Sequence, residues 1–325
     1  MPGHTIKSLP EKIQMKKFLL YTLIALVALI TLTAVFLGTR VGIANAQSKR
    51  EWQRVPGSIP PLETTSQLEI IPLYENDRAD ESLEQGHGVS YLIRTDSATI
   101  LLDLGNNPAE SAGLPSLRNL QALGIPRDEI DAIMVSHPHP DHVGGIKAWQ
   151  NKTIAMNDFK GNLGNLKIYT PILLTVPGAT TIHSAEPTLL SLDMATTGTI
   201  PYPEVFPIYL FDAKGYEQGL VIDVAGEGLV VVTGCCHPSL EKLVTRAEAL
   251  YGGKVVGVVG GLHYGEASPE EVQHHIKFLE SRHPKLIALS PHDSGPAVVD
   301  EFASAFPEAY QYIRVGEAIQ FPTSK

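Results

Sequence analysis

The feature that most constrains this chain is the segment 135–145, in which three histidines and one aspartate fall within six consecutive positions. An apolar run at residues 130–135 leads into it and predicts a buried strand that ends where these side chains begin. In an extended or tightly turned segment His137 and His139 share one side, and Asp141 and His142 begin the next turn. Imidazole and carboxylate groups bind divalent metals, so the two pairs predict a site for two adjacent cations. A histidine-rich loop that binds nothing is the alternative.

The N-terminal region contains an uncharged apolar run at residues 18–38. A helix of this length is long enough to cross a bilayer core of about 30 Å. Lys12, Lys16 and Lys17 precede the run, which predicts that residues 1–17 stay in the cytoplasm and that the rest is exported. We therefore expect a transmembrane anchor at 18–38, a linker at 39–67 and an extracytoplasmic domain at 68–325.

A cleaved signal peptide is the alternative interpretation of the same region. Residues 44–46 read Ala-Asn-Ala, which has the small-residue pattern of a signal peptidase site. The apolar run is longer than the usual core of a signal peptide, and Arg40 interrupts the approach to the site. We favour the uncleaved anchor; with cleavage the domain would be secreted.

The charge of the exported part narrows the class of substrate. The chain has 25 basic and 35 acidic residues, of which seven basic and one acidic lie in residues 1–50, so the remainder carries a formal net charge of −16. Such a surface repels polyanions, and no basic groove is visible in the sequence. We expect a small-molecule substrate and no nucleic-acid partner.

The periodicity of the exported part predicts a layered α/β domain. Leu114, Leu117, Leu120 and Leu123 have helical spacing, and Ser268 followed by Pro269 and Glu271 is a helix-capping pattern. Apolar runs predict strands at 68–74, 89–94, 99–104, 130–135, 172–176, 220–224, 229–233, 255–259 and 286–290. Helices are predicted at 111–123, 144–150, 240–251 and 269–282. The last two strands each lead to a histidine, His263 and His292, which places both on one rim.

The motif His137-x-His139-x-Asp141-His142 resembles the signature of the metallo-β-lactamase-fold hydrolases. Further matching motifs are Gly86-His87-Gly88, Leu102-Asp103-Leu104, Gly234-Cys235-Cys236-His237, Gly260-Gly261-Leu262-His263 and Pro291-His292-Asp293-Ser294-Gly295. Together they are similar to the branch that contains 7,8-dihydropterin-6-methyl-4-(β-D-ribofuranosyl)aminobenzene-5'-phosphate synthase, over about residues 69–321. The resemblance implies an αββα four-layer sandwich of the metallo-β-lactamase type, here preceded by one transmembrane helix.

The resemblance also implies roles for individual residues. The first metal would be held by His137, His139 and His237, and the second by Asp141, His142 and either His292 or His263. The histidine left over would act as general acid or hold an anionic group of the substrate. Asp141 and His263 are the expected catalytic residues. Asp103 would orient a ligand imidazole, and His87 would line the site.

Two positions depart from the pattern of the relatives. Cys235 stands where the wider superfamily has a bridging aspartate, and it would be either a soft thiolate ligand or a small buried residue. Its neighbour Cys236 is the only other thiol, so no disulfide framework is expected. Where the branch has His-Cys-Thr-Gly, this chain has Asp293 and Ser294 after the histidine, and we expect both to contact substrate.

These residues lead to three hypotheses of function. The first is a membrane-anchored hydrolase with two divalent metal ions that cleaves a small anionic ester, phosphodiester-like in type, by attack of metal-bound hydroxide. Zinc is the expected metal, and iron and manganese are alternatives. The second is dihydropterin-methyl transfer to an aminobenzene ribosyl phosphate, against which the export segment argues. The third is a non-catalytic metal-binding sensor.

Overall fold

The computed structural model describes residues 11–54, 56–156, 166–204 and 214–322, which group into two compact units. The described part of the first unit is residues 11–50 with 203–204 and 214. Its main element is helix α1 (Glu11–Trp52), whose last two residues belong to the second unit. The helix is long and apolar enough to cross a membrane. The predicted span 18–38 lies inside α1, but the helix continues through residues predicted as linker. No proline interrupts it before Pro56, so the backbone hydrogen bonds can propagate. Residues 1–10 of the predicted cytoplasmic segment lie outside the described residues.

The second unit holds the remaining described elements. Its strands, with the ends of two shared with the first unit, are β1 (Thr64–Thr65), β2 (Leu68–Tyr74), β3 (Ser90–Arg94), β4 (Thr99–Leu102), β5 (Ala132–Met134), β6 (Lys167–Thr170), β7 (Thr180–His183), β8 (Met194–Thr196), β9 (Ile200–Pro203), β10 (Lys214–Glu217), β11 (Leu220–Val224), β12 (Gly228–Val232), β13 (Val255–Gly260), β14 (Leu286–Leu289) and β15 (Ile319–Phe321). Its helices are α2 (Pro115–Ala122), α3 (Pro140–Val143), α4 (Ile146–Gln150), α5 (Leu240–Tyr251), α6 (Pro269–Glu280), α7 (Pro291–Ser294) and α8 (Pro296–Ala305).

Two sheets form the centre of this unit. The first runs in the order β15-β2-β3-β4-β5-β6-β7, and the second in the order β1-β11-β12-β13-β14 with β8 also paired to β11. Strands β4 to β7 are parallel, and so are β12 to β14. Parallel neighbours end at the same edge of a sheet, so the loops after these strands gather at one rim.

The side-chain alternation of the strands explains the layers. In β4, Leu102 belongs to the cluster between the two sheets, whereas Leu101 belongs to an outer cluster that includes side chains of α2. In β12, Val232 faces the same central cluster and Val231 packs with side chains of α5, α6 and α8. Successive strand residues point to opposite faces, so each sheet buries one face on the other and the second face under helices. The expected αββα four-layer sandwich is confirmed.

Most predicted elements are observed, and one strand prediction is wrong. Helix α5 has the predicted bounds, and Ser268 caps α6 by accepting a hydrogen bond from the Glu271 amide at 3.2 Å. The strand predicted at 172–176 is not formed: the strand of this region is β6, which ends at Thr170. Pro171 and Pro177 flank the segment, and a proline has no amide hydrogen to donate to a neighbouring strand. Leu174 and Val176 are buried as loop residues instead.

Candidate metal centre

The predicted ligand residues come from four strand ends on one rim of the sandwich. The segment with His137 to His142 follows β5, and Cys235 and His237 follow β12. His263 follows β13, and His292 follows β14. The structure therefore brings together side chains that lie far apart in the chain.

A first group of three nitrogen atoms converges in this rim. His137 Nε2 lies 3.1 Å from His139 Nδ1 and 3.2 Å from His237 Nε2. For nitrogen ligands about 2.0–2.1 Å from a tetrahedral zinc ion, the separation between ligands is about 3.3–3.4 Å, which these distances approach. Burial and then the neighbouring imidazoles hold the pKa of both His137 and His237 well below the ordinary value. Both rings are therefore neutral at pH 7, as metal binding requires.

A second group lies beside the first and contains a carboxylate. Asp141 Oδ2 lies 3.6 Å from His142 Nε2 and 3.7 Å from His292 Nε2. Burial lowers the pKa of His142, but the Asp141 and Asp103 carboxylates outweigh it and raise that pKa to about 9. The same negative potential that holds a proton on this imidazole would stabilise a divalent cation in its place.

The Cys235 sulfur lies between the two groups. Sγ is 3.1 Å from His142 Nε2 and 3.6 Å from His292 Nε2, and it also forms a compact group with His137 and His142. Burial, reinforced by the nearby carboxylates, raises the pKa of the thiol well above its ordinary value. A bound cation would reverse that shift, because coordination deprotonates a thiol.

Asp103 contacts the segment that carries the predicted ligands His137 to His142. Its fully buried carboxylate accepts hydrogen bonds from the Ser136 amide at 2.7 Å and from the Ser136 hydroxyl at 2.5 Å. His142 Nδ1 lies 2.7 Å from the same carboxylate, which directs Nε2 of that ring toward the metal groups. Asp103 itself has a left-handed backbone with φ of 55°, an uncommon conformation outside glycine that occurs at functional sites.

Glu217 is a site residue that the sequence analysis missed. Its buried carboxylate accepts hydrogen bonds from the amides of Cys236 at 2.8 Å and His237 at 2.7 Å, and from the Thr233 hydroxyl at 2.7 Å. Burial raises the pKa of Glu217, and these hydrogen bonds oppose the change. The carboxylate thereby fixes the loop that carries Cys235 and His237.

Glu75 has the corresponding role for His292 and was also missed. Its side chain is fully buried and accepts hydrogen bonds from Tyr91 Oη at 2.9 Å and from the Ser290 hydroxyl. Ser290 Oγ lies 2.6 Å from His292 Nδ1, and the carboxylate itself lies 3.4 Å from the same nitrogen. These contacts fix the His292 ring with Nε2 toward Asp141.

Gly234 allows the two sheet rims to meet. A Cβ atom at this position would overlap Ser136 Oγ and would lie 3.1 Å from Asp103 Oδ2. The loop after β12 therefore approaches the loop after β5 only because residue 234 has no side chain. This contact sets the separation of the His237 and Cys235 ligand atoms from those of the His137 segment.

His263 occupies the mouth of the site and is held by Asp293. The Asp293 carboxylate accepts a hydrogen bond from the His263 amide at 2.6 Å and lies 3.1 Å from His263 Nδ1. The His263 ring lies 4.3 Å from the His237 ring, measured between centroids. The Ser294 hydroxyl is buried and accepts a hydrogen bond from the Leu262 amide at 3.3 Å. In the structure both Asp293 and Ser294 hold the His263 loop, and a carboxylate oxygen of Asp293 also lies within 4.8 Å of ligand atoms of Cys235 and His292. Contact of Asp293 and Ser294 with substrate stays a prediction.

Two further rings lie beside the ligand groups, one exposed and one buried. His87, which we expected to line the site, is 64% exposed, and its Nε2 lies 3.5 Å from Asp141 Oδ2. Tyr202 of β9, which the sequence analysis missed, stacks on the His237 ring at 4.7 Å with an interplanar angle of 14°. The rim thus offers His87 and His263 at its surface above the buried ligand atoms.

Comparisons of the sequence with known proteins relate the chain to one superfamily. Residues 83–156 match the family model described as the metallo-beta-lactamase superfamily. The chain is 29% identical over 267 residues to 7,8-dihydropterin-6-methyl-4-(beta-D-ribofuranosyl)-aminobenzene-5'-phosphate synthase of Methanocaldococcus jannaschii, covering 72% of this chain and 90% of that protein. An uncharacterized protein of the same organism is 26% identical over 232 residues, covering 66% of this chain and 86% of its own length.

Solved structures extend the comparison to the fold. Tm1679, described as a metal-dependent hydrolase of the beta-lactamase superfamily, superposes with a TM-score of 0.58 at 20% identity, covering 78% of this chain and 98% of that one. The metallo-beta-lactamase fold protein YhfI from Bacillus subtilis superposes with a TM-score of 0.51 at 14% identity, covering 78% and 99%. At such identities the likeness concerns the fold alone. The chain therefore has the fold of the metallo-β-lactamase superfamily, and its sequence resembles the branch that contains the dihydropterin synthase.

Proposed function

We propose that this chain is a membrane-anchored hydrolase that uses two divalent metal ions to cleave a small anionic ester, phosphodiester-like in type. The observation that carries the proposal is the pair of ligand groups described above, one of three imidazoles and one of imidazoles with a carboxylate. Two cations held side by side are the arrangement that enzymes use to cleave phosphate esters. The retained ligand set argues against a non-catalytic sensor.

The donor set suits the proposed metals. His137, His139 and His237 would hold the first ion, and Asp141, His142 and His292 would hold the second. Cys235 would be a shared or additional ligand, because its sulfur lies within 3.1 Å of His142 Nε2. Imidazole with thiolate favours zinc, and a site of imidazole and carboxylate alone would also suit iron or manganese.

The residues around the metal ions would have different roles in the reaction. Bound metal ions would polarise the ester and lower the pKa of a water molecule that attacks it. His263 Nδ1 faces the Asp293 carboxylate, which fixes the ring and makes Nε2 the atom that would hold or protonate the leaving group. His87, exposed beside Asp141, would bind an anionic oxygen of the substrate.

Transfer of a dihydropterin-methyl group is the second candidate. It is favoured by the 29% identity to the Methanocaldococcus jannaschii synthase over most of both chains. The long apolar helix α1 argues against it, because an exported domain would not meet cytosolic pterin diphosphates. Replacement of the family cysteine by Asp293 also argues against the same substrate.

Isotope transfer from water separates the two candidates. Turnover of a phosphodiester in oxygen-18 water should place one heavy oxygen in the product phosphate or acid, without a second organic substrate. The measurement is mass spectrometry of the products after one turnover. Products free of heavy oxygen, or a strict requirement for an amine acceptor, would establish transfer instead.

The proposed membrane anchor leads to a separate prediction about topology. Protease added to intact spheroplasts should digest the domain that follows α1, while the undigested protein should sediment with the membrane. We base this on the lysines before residue 18 and on the apolar composition of α1. Immunoblotting with an antibody to the C-terminal region checks it, and a cytoplasmic protein in the same cells is the control for lysis. Protection of the domain would contradict export, and a soluble form beginning near Gln47 would indicate cleavage.

A further inference from the structure

A cavity in the same unit as the metal centre is lined by other residues. Its volume is about 480 Å³, within the range of about 300–1,000 Å³ found for small-molecule sites. The described lining includes Arg54, Ile172, Leu173, Glu186, Pro201 and Arg246, and it contains none of the proposed metal ligands. We refer to these residues and the space between them as the Arg246 cavity.

Arg246 is the residue that indicates a ligand. It lies on α5 and is partly buried, and its Nε atom is buried without a hydrogen-bond partner among the residues that the structure describes. Burial lowers the pKa of this guanidinium, and Glu186 opposes the change. Its central carbon lies 5.4 Å from the Trp52 ring centroid, a cation–π contact that supplies no acceptor for the Nε–H group. A buried N–H group without an acceptor is costly, so a missing acceptor is the simplest explanation.

The charged side chains that line the cavity favour a ligand with a single negative charge. Glu186 is engaged with Arg54 at 3.0 Å and with the Gly57 amide at 3.2 Å. Arg246 is therefore the cation best placed for a ligand. Because Glu51 and Glu186 also belong to the lining, a compact dianion would be repelled. A carboxylate has one charge and two oxygens that match the fork of a guanidinium.

Part of the cavity lining is apolar. It is formed by the segment after β6, including Ile172 and Leu173, and Leu173 is 78% exposed. An apolar body attached to the carboxylate would cover this exposed side chain. We propose that the Arg246 cavity binds a small monocarboxylate with an apolar or aromatic body.

Strand β9 contacts both the cavity and the metal centre. Pro201 of β9 lines the cavity, and the next residue, Tyr202, stacks on the His237 ring. A ligand in the cavity would contact the strand that positions this ring. The site is nevertheless independent of the metal ions, since the described lining and the ligand groups share no residue.

Calorimetric titration of the full chain in detergent tests the proposal. Benzoate and hexanoate should bind with one-to-one stoichiometry. Benzamide, which is uncharged, and sulfate, which is a dianion at pH 7, should bind at least about tenfold more weakly. Arg246→Met should weaken benzoate binding at least about tenfold. Arg314→Met is the matched control, because Arg314 also lies over an aromatic ring, that of Tyr312 at 5.3 Å, but does not line the cavity.

Thermal unfolding and metal removal supply independent readouts. Without ligand, Arg246→Met should melt at the same or a higher temperature than the native protein, since it removes a buried unpaired N–H group. Benzoate should raise the melting temperature of the native protein and of Arg314→Met only. Treatment with a chelator should leave benzoate binding unchanged.

Three results would overturn the proposal. They are absence of carboxylate binding at millimolar concentrations, equal binding by Arg246→Met, and loss of binding on chelation, which would assign the carboxylate to the metal ions. If Arg246→Met does not fold, Arg246→Lys decides the question, because it keeps the charge but removes the fork and should still weaken binding. None of these outcomes depends on the ester being hydrolysed.

Discussion

Replacing Asp141 with alanine is expected to remove one of two metal ions and to lower kcat/KM by more than about a hundredfold, since loss of even an outer partner of a metal ligand costs about 10–100-fold. Asp141 Oδ2 lies between 3.5 and 3.7 Å from nitrogens of His87, His142 and His292. Without it, the second group would lose the carboxylate that faces all three of these imidazole nitrogens. Metal analysis by mass spectrometry and steady-state kinetics on the same preparation measure both effects.

His263→Ala is the matched control for this prediction. His263 lies in the same rim, but its nearest acid is Asp293 and it belongs to none of the compact ligand groups among the described residues. The variant should keep both metal ions and lose turnover only, as expected for a residue that holds or protonates the leaving group. Full metal occupancy in Asp141→Ala, or loss of metal in His263→Ala, would contradict the assignment of ligands.

Replacing Asp103 with alanine is expected to lower the free energy of unfolding by about 3–5 kcal/mol, the range for removing one partner of a buried charged pair. The carboxylate is fully buried and accepts two hydrogen bonds from Ser136 while facing His142 Nδ1. Its loss leaves these buried donors unpaired and leaves His142 without an orienting partner. Denaturant unfolding at pH 7, with and without added zinc, measures the loss.

Asp131→Ala is the matched control, because Asp131 Oδ2 accepts a hydrogen bond from the Thr99 amide at 2.8 Å but the residue is exposed. We expect it to cost no more than about 0.5–1.5 kcal/mol, the net value of one ordinary hydrogen bond. A loss in Asp103→Ala as small as in Asp131→Ala would show that Asp103 does not support the ligand segment.

The sequence predicted what depends on local patterns and motifs. Helix α5 has the predicted bounds because its apolar residues recur at helical spacing between a capping serine and a glycine. The αββα architecture and the meeting of His137, His139 and His237 followed from a motif whose spacing resembles that of known proteins. The strand predicted at 172–176 failed because hydrophobicity alone does not distinguish a strand from a buried loop between prolines.

The supporting acids could not be predicted in the same way. Glu75 contacts Ser290, which is 215 residues away in the chain, and Glu217 contacts amides 18 to 20 residues away. In the sequence both look like ordinary surface acids at strand ends. A single glutamate does not reveal that its partners are buried amides and hydroxyls, because those partners are assembled only by the tertiary structure.

The distance along the chain between facing ligands has a consequence for how the protein folds. His137 and His237 are 100 residues apart, and Cys235 and His142 are 93 residues apart. Closing such long loops is slow, and it requires both sheets to have formed and met at Gly234. A metal ion would therefore find its complete set of ligands only after the sandwich has closed. It would prolong the lifetime of the folded domain by slowing unfolding, and it would leave the rate of folding almost unchanged.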